Sequence, residues 1–172
     1  YYPIPHYREG GDIDVYLFNN AEKADTLISS LGINVSHLVP KNSSFIFDEI
    51  MIENHRTFFD TELRFKRERE LFRKMEIMLT DMLSNGDCPK LGIGEVRKLP
   101  EQVAALYMVG HLFRHFCCLD INCRQLCDWT VFFTTIQDRI DNTLFMQQVR
   151  ELDLEQFVND INSFCSAYLG FQ

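Results

Sequence analysis

What this chain lacks narrows its chemistry before any motif is read. It has no excess of basic charge: 17 Lys and Arg stand against 25 Asp and Glu, for a formal net charge of −8. Non-specific binding to nucleic acid or to an anionic membrane needs clustered Lys and Arg against phosphates, so the composition weighs against both. No apolar run approaches the roughly 20 residues that a membrane-spanning helix needs. The opening YYPIPHYREGG has no basic region followed by an apolar one, so no secretory signal is read there, and a soluble cytoplasmic protein is the expectation. Internal repeats and low-complexity segments are also missing. There is no initial methionine, and the first residues already lead into a strand, so more chain is expected upstream of Tyr1. A disulfide framework is poorly matched as well: of six cysteines, Cys117, Cys118, Cys123 and Cys127 crowd into one short stretch. Reduced, buried thiols are the expectation for most of them.

What is present is core-forming material. The chain has 172 residues, 46% of them hydrophobic and 15 of them Phe, enough for one compact core or two small subdomains. Residues 12–18 (DIDVYLF) follow a Gly-Gly turn and read as a strand. AEKADTLISSLGI reads as a short amphipathic helix with Ala24, Leu27, Ile28 and Leu31 on its apolar stripe and Gly32 past its end. SSFIFDEIMIENH reads as a hairpin, with strands at 45–47 and 50–55 turning at Asp48-Glu49. From about Thr61 the charges interleave over TELRFKRERELFRKMEIMLTDML, a long solvated helix with i,i+4 pairs that stops at Asn85-Gly86. CPKLGIGEVRKLP reads as a loop, Pro100 as a helix start, and CRQLCDWTVFFTTIQDRI as the next helix. Further helices run to Gly170, the last capped by Asp153 with Gln156. The fold class is therefore α+β: a small mixed sheet with helices over residues 1–60, then a helical bundle over 61–172.

Side chains in a strand alternate faces, so Asp12 and Asp14 point the same way while Ile13 and Val15 point into a core. Like charges this close repel, and a divalent cation with hard oxygen ligands removes the penalty. Glu53, after the apolar Ile50, Met51 and Ile52, would converge on them if the two strands lie side by side. Two acids on one strand and one on its neighbour suit phosphoryl transfer assisted by two metal ions. Spacing alone leaves a second reading open, a strand-edge pair that caps a turn or faces water.

GGDIDVYL followed by IMIENH resembles the nucleotidyltransferases of the DNA polymerase β superfamily. More narrowly, the ordered elements YYPIPHYREGGDID, IENH, HLFRHF and CRQLCDW are similar to an uncharacterised bacterial nucleotidyltransferase family of Bacteroides-type bacteria; the likeness spans about Tyr1 to Trp129. The resemblance implies Asp12 and Asp14 as metal ligands and Glu53 as the third acid, with Mg²⁺ or Mn²⁺ as cofactor. It implies transfer of a nucleotidyl group from a nucleoside triphosphate to an acceptor hydroxyl on a small molecule or protein, with the site in the cleft between the sheet and the bundle. The superfamily's phosphate-holding Gly-Ser element is not found here and is expected upstream of Tyr1. A non-catalytic module with a degenerate form of this fold is the alternative.

Other polar residues carry weaker readings. Arg8 either contacts a nucleotide phosphate or pairs with an acid. His55 lies on the strand face of Glu53, where it orients a ligand or hydrogen-bonds at the surface. His111 and His115 repeat at one helical turn, as do Cys123 and Cys127. Together they would suit zinc, but the preferred reading is that the histidines hydrogen-bond to Asp128 or to phosphate while the cysteines pack. Arg124, Gln125 and Asp128 read as a satisfied buried network, or as an acceptor-binding group.

Overall fold

The computed structural model describes residues 1–4, 8, 10–60, 63, 65–86, 88–90, 96–118 and 121–170. The expected helix start at Thr61, the charges of Glu62 and Arg64, and the centre of the loop at 91–95 lie outside the described residues. The chain divides into two compact units, His6–Phe72 and Arg73–Gln172 together with Tyr1–Pro5.

The first unit is a four-stranded mixed sheet with one helix on it. Strand β1 (Asp12–Tyr16) leads through a short 3-10 turn (Phe18–Asn20) into helix α1 (Ala21–Ser30), followed by β2 (Ser36–Val39), β3 (Asn42–Phe47) and β4 (Ile50–His55). The spatial order is β1-β4-β3-β2, with β1 parallel to β4 and the other neighbours antiparallel. Phe47 pairs with Ile50, leaving Asp48 (φ 50°) and Glu49 (φ 65°) as a two-residue turn. Two successive left-handed residues make the mirror-image turn that matches strand twist, here without the usual Asn-Gly. The hairpin arises because β-branched and aromatic residues flank the turn on both sides, and β2, too polar to signal itself, joins by pairing to β3.

Alternation gives the sheet two distinct faces. Asp14, Glu53 and Ser44 align across one face, with Tyr16, His55 and Asn42 in the next row. Ser43 and Asn54 stand on the opposite face, where α1 packs. Asp25 of α1 is buried there and accepts from Ser43 Oγ (2.6 Å), Asn54 Nδ2 (2.8 Å) and Arg56 NH2 (2.9 Å); Asn54 Nδ2 also reaches the Ala21 carbonyl (3.0 Å). The buried side of α1 is thus Ala21 and Asp25, flanked by Ala24 and Ile28, and not the expected leucine stripe: Leu27 and Leu31 are exposed. A charged residue replaces leucine at the interface because three donors, two from the sheet and Arg56 just past β4, converge on it. Ile13, expected in a core, is 49% exposed. It lies on the edge strand, away from the Ser43–Asn54 patch that α1 covers.

The second unit is helical: the C-terminal part of α2 (Lys66–Asn85), α3 (Glu101–Cys118), α4 (Cys123–Ile136), α5 (Asn142–Glu151) and α6 (Glu155–Leu169). α2 ends at Gly86, where a Cβ would stand 2.7 Å from the Met82 carbonyl oxygen. Met75, Leu79 and Leu83 recur every fourth residue and are buried, as are Val103, Leu106 and Val109 of α3. Trp129 of α4 stacks on Phe133 (4.8 Å), which meets Phe145 of α5 (5.5 Å), while its indole N–H donates to Asn162 of α6 (2.9 Å). α4 starts with a capping box between Asn122 and Gln125. The expected Asp153 cap of α6 is not formed: Leu154 is the N-cap residue, and Asp153 itself turns with φ 57°. The N-terminal residues join this unit, Tyr1 edge-on to Phe132 (5.0 Å) and Tyr2 donating to Asp128 (2.8 Å).

Candidate functional site

The parallel pairing of β1 with β4 creates one concentrated polar site. The register sets Asp14 directly opposite Glu53, with His55 two residues further along β4 on the same face. His55 Nε2 stands 2.6 Å from Asp14 Oδ1 and 3.2 Å from Glu53 Oε2. The imidazole is nearly inaccessible, at 6% side-chain exposure, whereas Asp14 is at 53% and Glu53 at 24%. The site is thus anchored at its base by the ring and open to solvent at the carboxylates.

Two contacts fix these side-chain atoms. His55 Nδ1 lies 3.3 Å from the Thr57 carbonyl. A carbonyl only accepts, so Nδ1 carries the proton of this contact and Nε2 is the nitrogen turned toward the acids. Glu53 Oε2 accepts from Asn42 Nδ2 at 2.5 Å. Asn42 is 1% exposed and its Oδ1 is buried without a partner. Turning the amide over would aim Oδ1 at the carboxylate, so the donor end is held toward Glu53 at the cost of one unsatisfied oxygen, about 1–3 kcal/mol. A polar group kept at that cost is a positioning device.

Asp14, Glu53 and His55 each offer a ligand atom, all within 4.8 Å of one another, and they form the one such group among the described residues. Neighbouring ligands around an octahedral cation with ~2.1 Å bonds stand about 3 Å apart. The observed 2.6 and 3.2 Å bracket that spacing, so the donor set fits a divalent ion. Asp12 lies on the same face one row away, opposite Met51, and is exposed; it is outside the group of three.

The remaining candidates lie elsewhere. Arg8 is exposed. On α3, His111 is exposed and His115 half-buried, their ring centroids 4.6 Å apart. They and Cys123/Cys127 make no cluster of three or more ligands among the described residues. Arg124 is exposed, not buried as expected, and Gln125 is spent on capping α4; Asp128, half-buried, accepts from Tyr2. All six cysteines are free, but only Cys165 is buried, while Cys118 and Cys123 are exposed. Sequence reasoning missed Asn42 and Asp25. Asn42 lies in NSSFIF, where the period-two pattern puts it on Glu53's face once the hairpin register is known; Asp25 carries no signal beyond a charge four residues from Ala21 on a short helix.

No curated protein and no solved structure matches the chain. No helix of the described residues is long and apolar enough to cross a membrane. The sequence profile of the uncharacterised nucleotidyltransferase family matches residues 1–170, and the chain belongs to that family.

Proposed function

We propose that the chain transfers a nucleotidyl group from a nucleoside triphosphate to a hydroxyl acceptor, with Asp12, Asp14 and Glu53 as the catalytic acids. The observation that carries this reading is the register that sets Asp14 against Glu53 on an open face. A bound Mg²⁺ or Mn²⁺ would neutralise the phosphates and withdraw charge from the leaving group. Asp14 and Glu53 would hold that ion together with Asp12, which lies one row along the same face. Asn42 keeps the Glu53 carboxylate from rotating by donating to its Oε2. The Glu53 oxygen that Asn42 does not hold takes the acceptor's proton as the new oxygen–phosphorus bond forms and the bond to pyrophosphate breaks. Asp14 is 53% exposed, and the net charge of −8 favours a small-molecule or protein acceptor over long nucleic acid.

The test is calorimetric titration of ATP and GTP with and without Mg²⁺ or Mn²⁺, on the wild-type chain and on Asp14→Asn and Glu53→Gln, together with pyrophosphate release. Binding that requires the divalent ion and is lost in both variants is the expected result. Equal binding by all three proteins, or none by any, would overturn the reading.

A further inference from the structure

We propose that His55 Nε2 is itself a metal ligand, completing a nitrogen–oxygen–oxygen set with Asp14 and Glu53, and that this nitrogen makes the site select a divalent first-row transition ion over Mg²⁺. The inference deepens the nucleotidyl-transfer reading by naming the ion class of its metal centre, and it rests on that reading only for the purpose the ion serves.

Orientation carries the first part. With Nδ1 turned to the Thr57 carbonyl, Nε2 is the ring nitrogen that faces two carboxylate oxygens, at 2.6 and 3.2 Å. One nitrogen and two carboxylate oxygens converging on one point attract a positive charge, which a proton on Nε2 or a bound divalent cation supplies. A histidine that donates one ring N–H to a backbone carbonyl while its other nitrogen faces a cluster of acids has the arrangement in which metal-ligating histidines are held. Burial carries the second part: at 6% exposure the ring cannot swing into water, whereas a surface histidine pairing casually with acids would be free to do so. Thr57 Oγ1 in turn donates to the Phe59 carbonyl at 3.0 Å, which fixes the segment that holds the ring.

Ligand type carries the choice of ion. Mg²⁺ takes hard oxygen ligands and dehydrates reluctantly, so a buried nitrogen is a poor partner for it. Imidazole suits first-row transition ions, and Mn²⁺ accepts carboxylate oxygen as well. The set of two carboxylates and one imidazole therefore favours Mn²⁺ or a related ion.

The probe is Mn²⁺ alone, added to the full chain and followed by electron paramagnetic resonance. Bound Mn²⁺ should show electron-spin-echo modulation from a directly coordinated ¹⁴N. That modulation should convert to the ¹⁵N pattern when the protein is grown on ¹⁵N-histidine, and vanish in His55→Gln. Mn²⁺ affinity in His55→Gln is expected to fall about 10–100-fold, and a tenfold excess of Mg²⁺ should not displace Mn²⁺ from the wild-type chain. Should His55→Gln not fold, isotopic labelling and Mg²⁺ competition on the wild-type chain still decide. Mn²⁺ bound with no nitrogen modulation, unchanged modulation in His55→Gln, ready displacement by Mg²⁺, or no Mn²⁺ binding would each overturn the proposal. Nitrogen coordination without triphosphate binding would leave it standing and sink the nucleotidyl-transfer reading; triphosphate-dependent transfer with oxygen-only coordination would do the reverse.

Discussion

Asp25→Ala should loosen Asp14, Glu53 and His55 from the opposite side of the sheet. Asp25 never approaches Asp14, Glu53 or His55 in the register; it binds the other face, where Asn54 lies between Glu53 and His55 on β4. Removing its carboxylate strands two buried donors, Ser43 Oγ and Asn54 Nδ2, at 1% and 2% exposure. Each loses a hydrogen bond where water cannot replace it, a cost of about 1–3 kcal/mol apiece. Asn54 keeps its bond to the Ala21 carbonyl, the Ser43 hydroxyl can rotate, and the Arg56 side chain, 29% exposed, recovers part of its hydration. The balance is a destabilisation of about 3 kcal/mol, at the lower end of the ~3–5 kcal/mol that follows removal of one partner from a buried charged group. Asp25→Asn keeps one acceptor oxygen and should cost about half as much.

Urea unfolding followed by far-UV circular dichroism measures the loss, and hydrogen exchange at the β4 amides localises it. Because Asn54 is the residue between two proposed ligands, the exchange of its neighbours should quicken in Asp25→Ala, and Mn²⁺ affinity should fall even though no ligand has changed. A stability change below about 0.5 kcal/mol, the level of an ordinary surface substitution, would refute the claim that this carboxylate anchors the helix to the sheet. A full loss of stability with unaltered metal affinity would refute the coupling between the two faces and leave the anchor intact.

Two further outcomes follow from other parts of the chain. Glu49→Gly relieves a left-handed residue at φ 65° in the β3–β4 turn and should raise stability by about 1 kcal/mol in the same urea experiment; a loss would show that the Glu49 side chain makes a compensating contact. Burial pushes the Cys165 thiol above its ordinary value of 9.0, against a smaller opposing hydrogen bond with Thr130, and burial followed by a hydrogen bond with Cys123 pushes Cys127 the same way. A raised folded value means the native state keeps a proton that the unfolded chain has released, so the stability tied to these thiols is complete below pH 9.0 and falls as the pH rises through the folded values. Unfolding free energy measured from about pH 8 to about pH 10.5 should therefore decline less steeply in Cys165→Ala than in wild type, and equal slopes would rule out the buried thiol as a source of the decline.

Much of the fold is legible from pattern because its strongest signals are local. The β3–β4 hairpin shows itself as two β-favouring runs on either side of Asp48-Glu49, and α2 shows where it ends through Asn85-Gly86. The misreadings occur where tertiary contacts override local preference. Leu27 and Leu31 complete a convincing stripe on α1, yet Asp25 faces the sheet, because only the folded sheet brings Ser43, Asn54 and Arg56 to one point. The Asp153 cap has the right spacing to Gln156, but the chain turns at Asp153 and starts α6 one residue later than a cap there would require.

The polar site shows the same limit in its sharpest form. Asp12 and Asp14 catch the eye because they are neighbours in the sequence, but residues two apart on one strand stand about 6.6 Å from each other, while partners on adjacent strands are only about 4.8 Å apart. The close approach is therefore across strands, Asp14 to Glu53, and then to His55, whose side chain leans back along β4 toward both. No spacing in the sequence reports it, because the distance depends on β1 and β4 being parallel neighbours in this exact register. A slip of one residue would send Glu53 and His55 to the α1 face and bring Asn54 to Asp14. The Asp25 network forbids that slip, since it recognises Asn54 and Ser43 on the opposite face and would lose both. The buried polar cluster under α1 thus enforces the register that brings Asp14, Glu53 and His55 together, and the charge that looks out of place on a short helix is what holds that register.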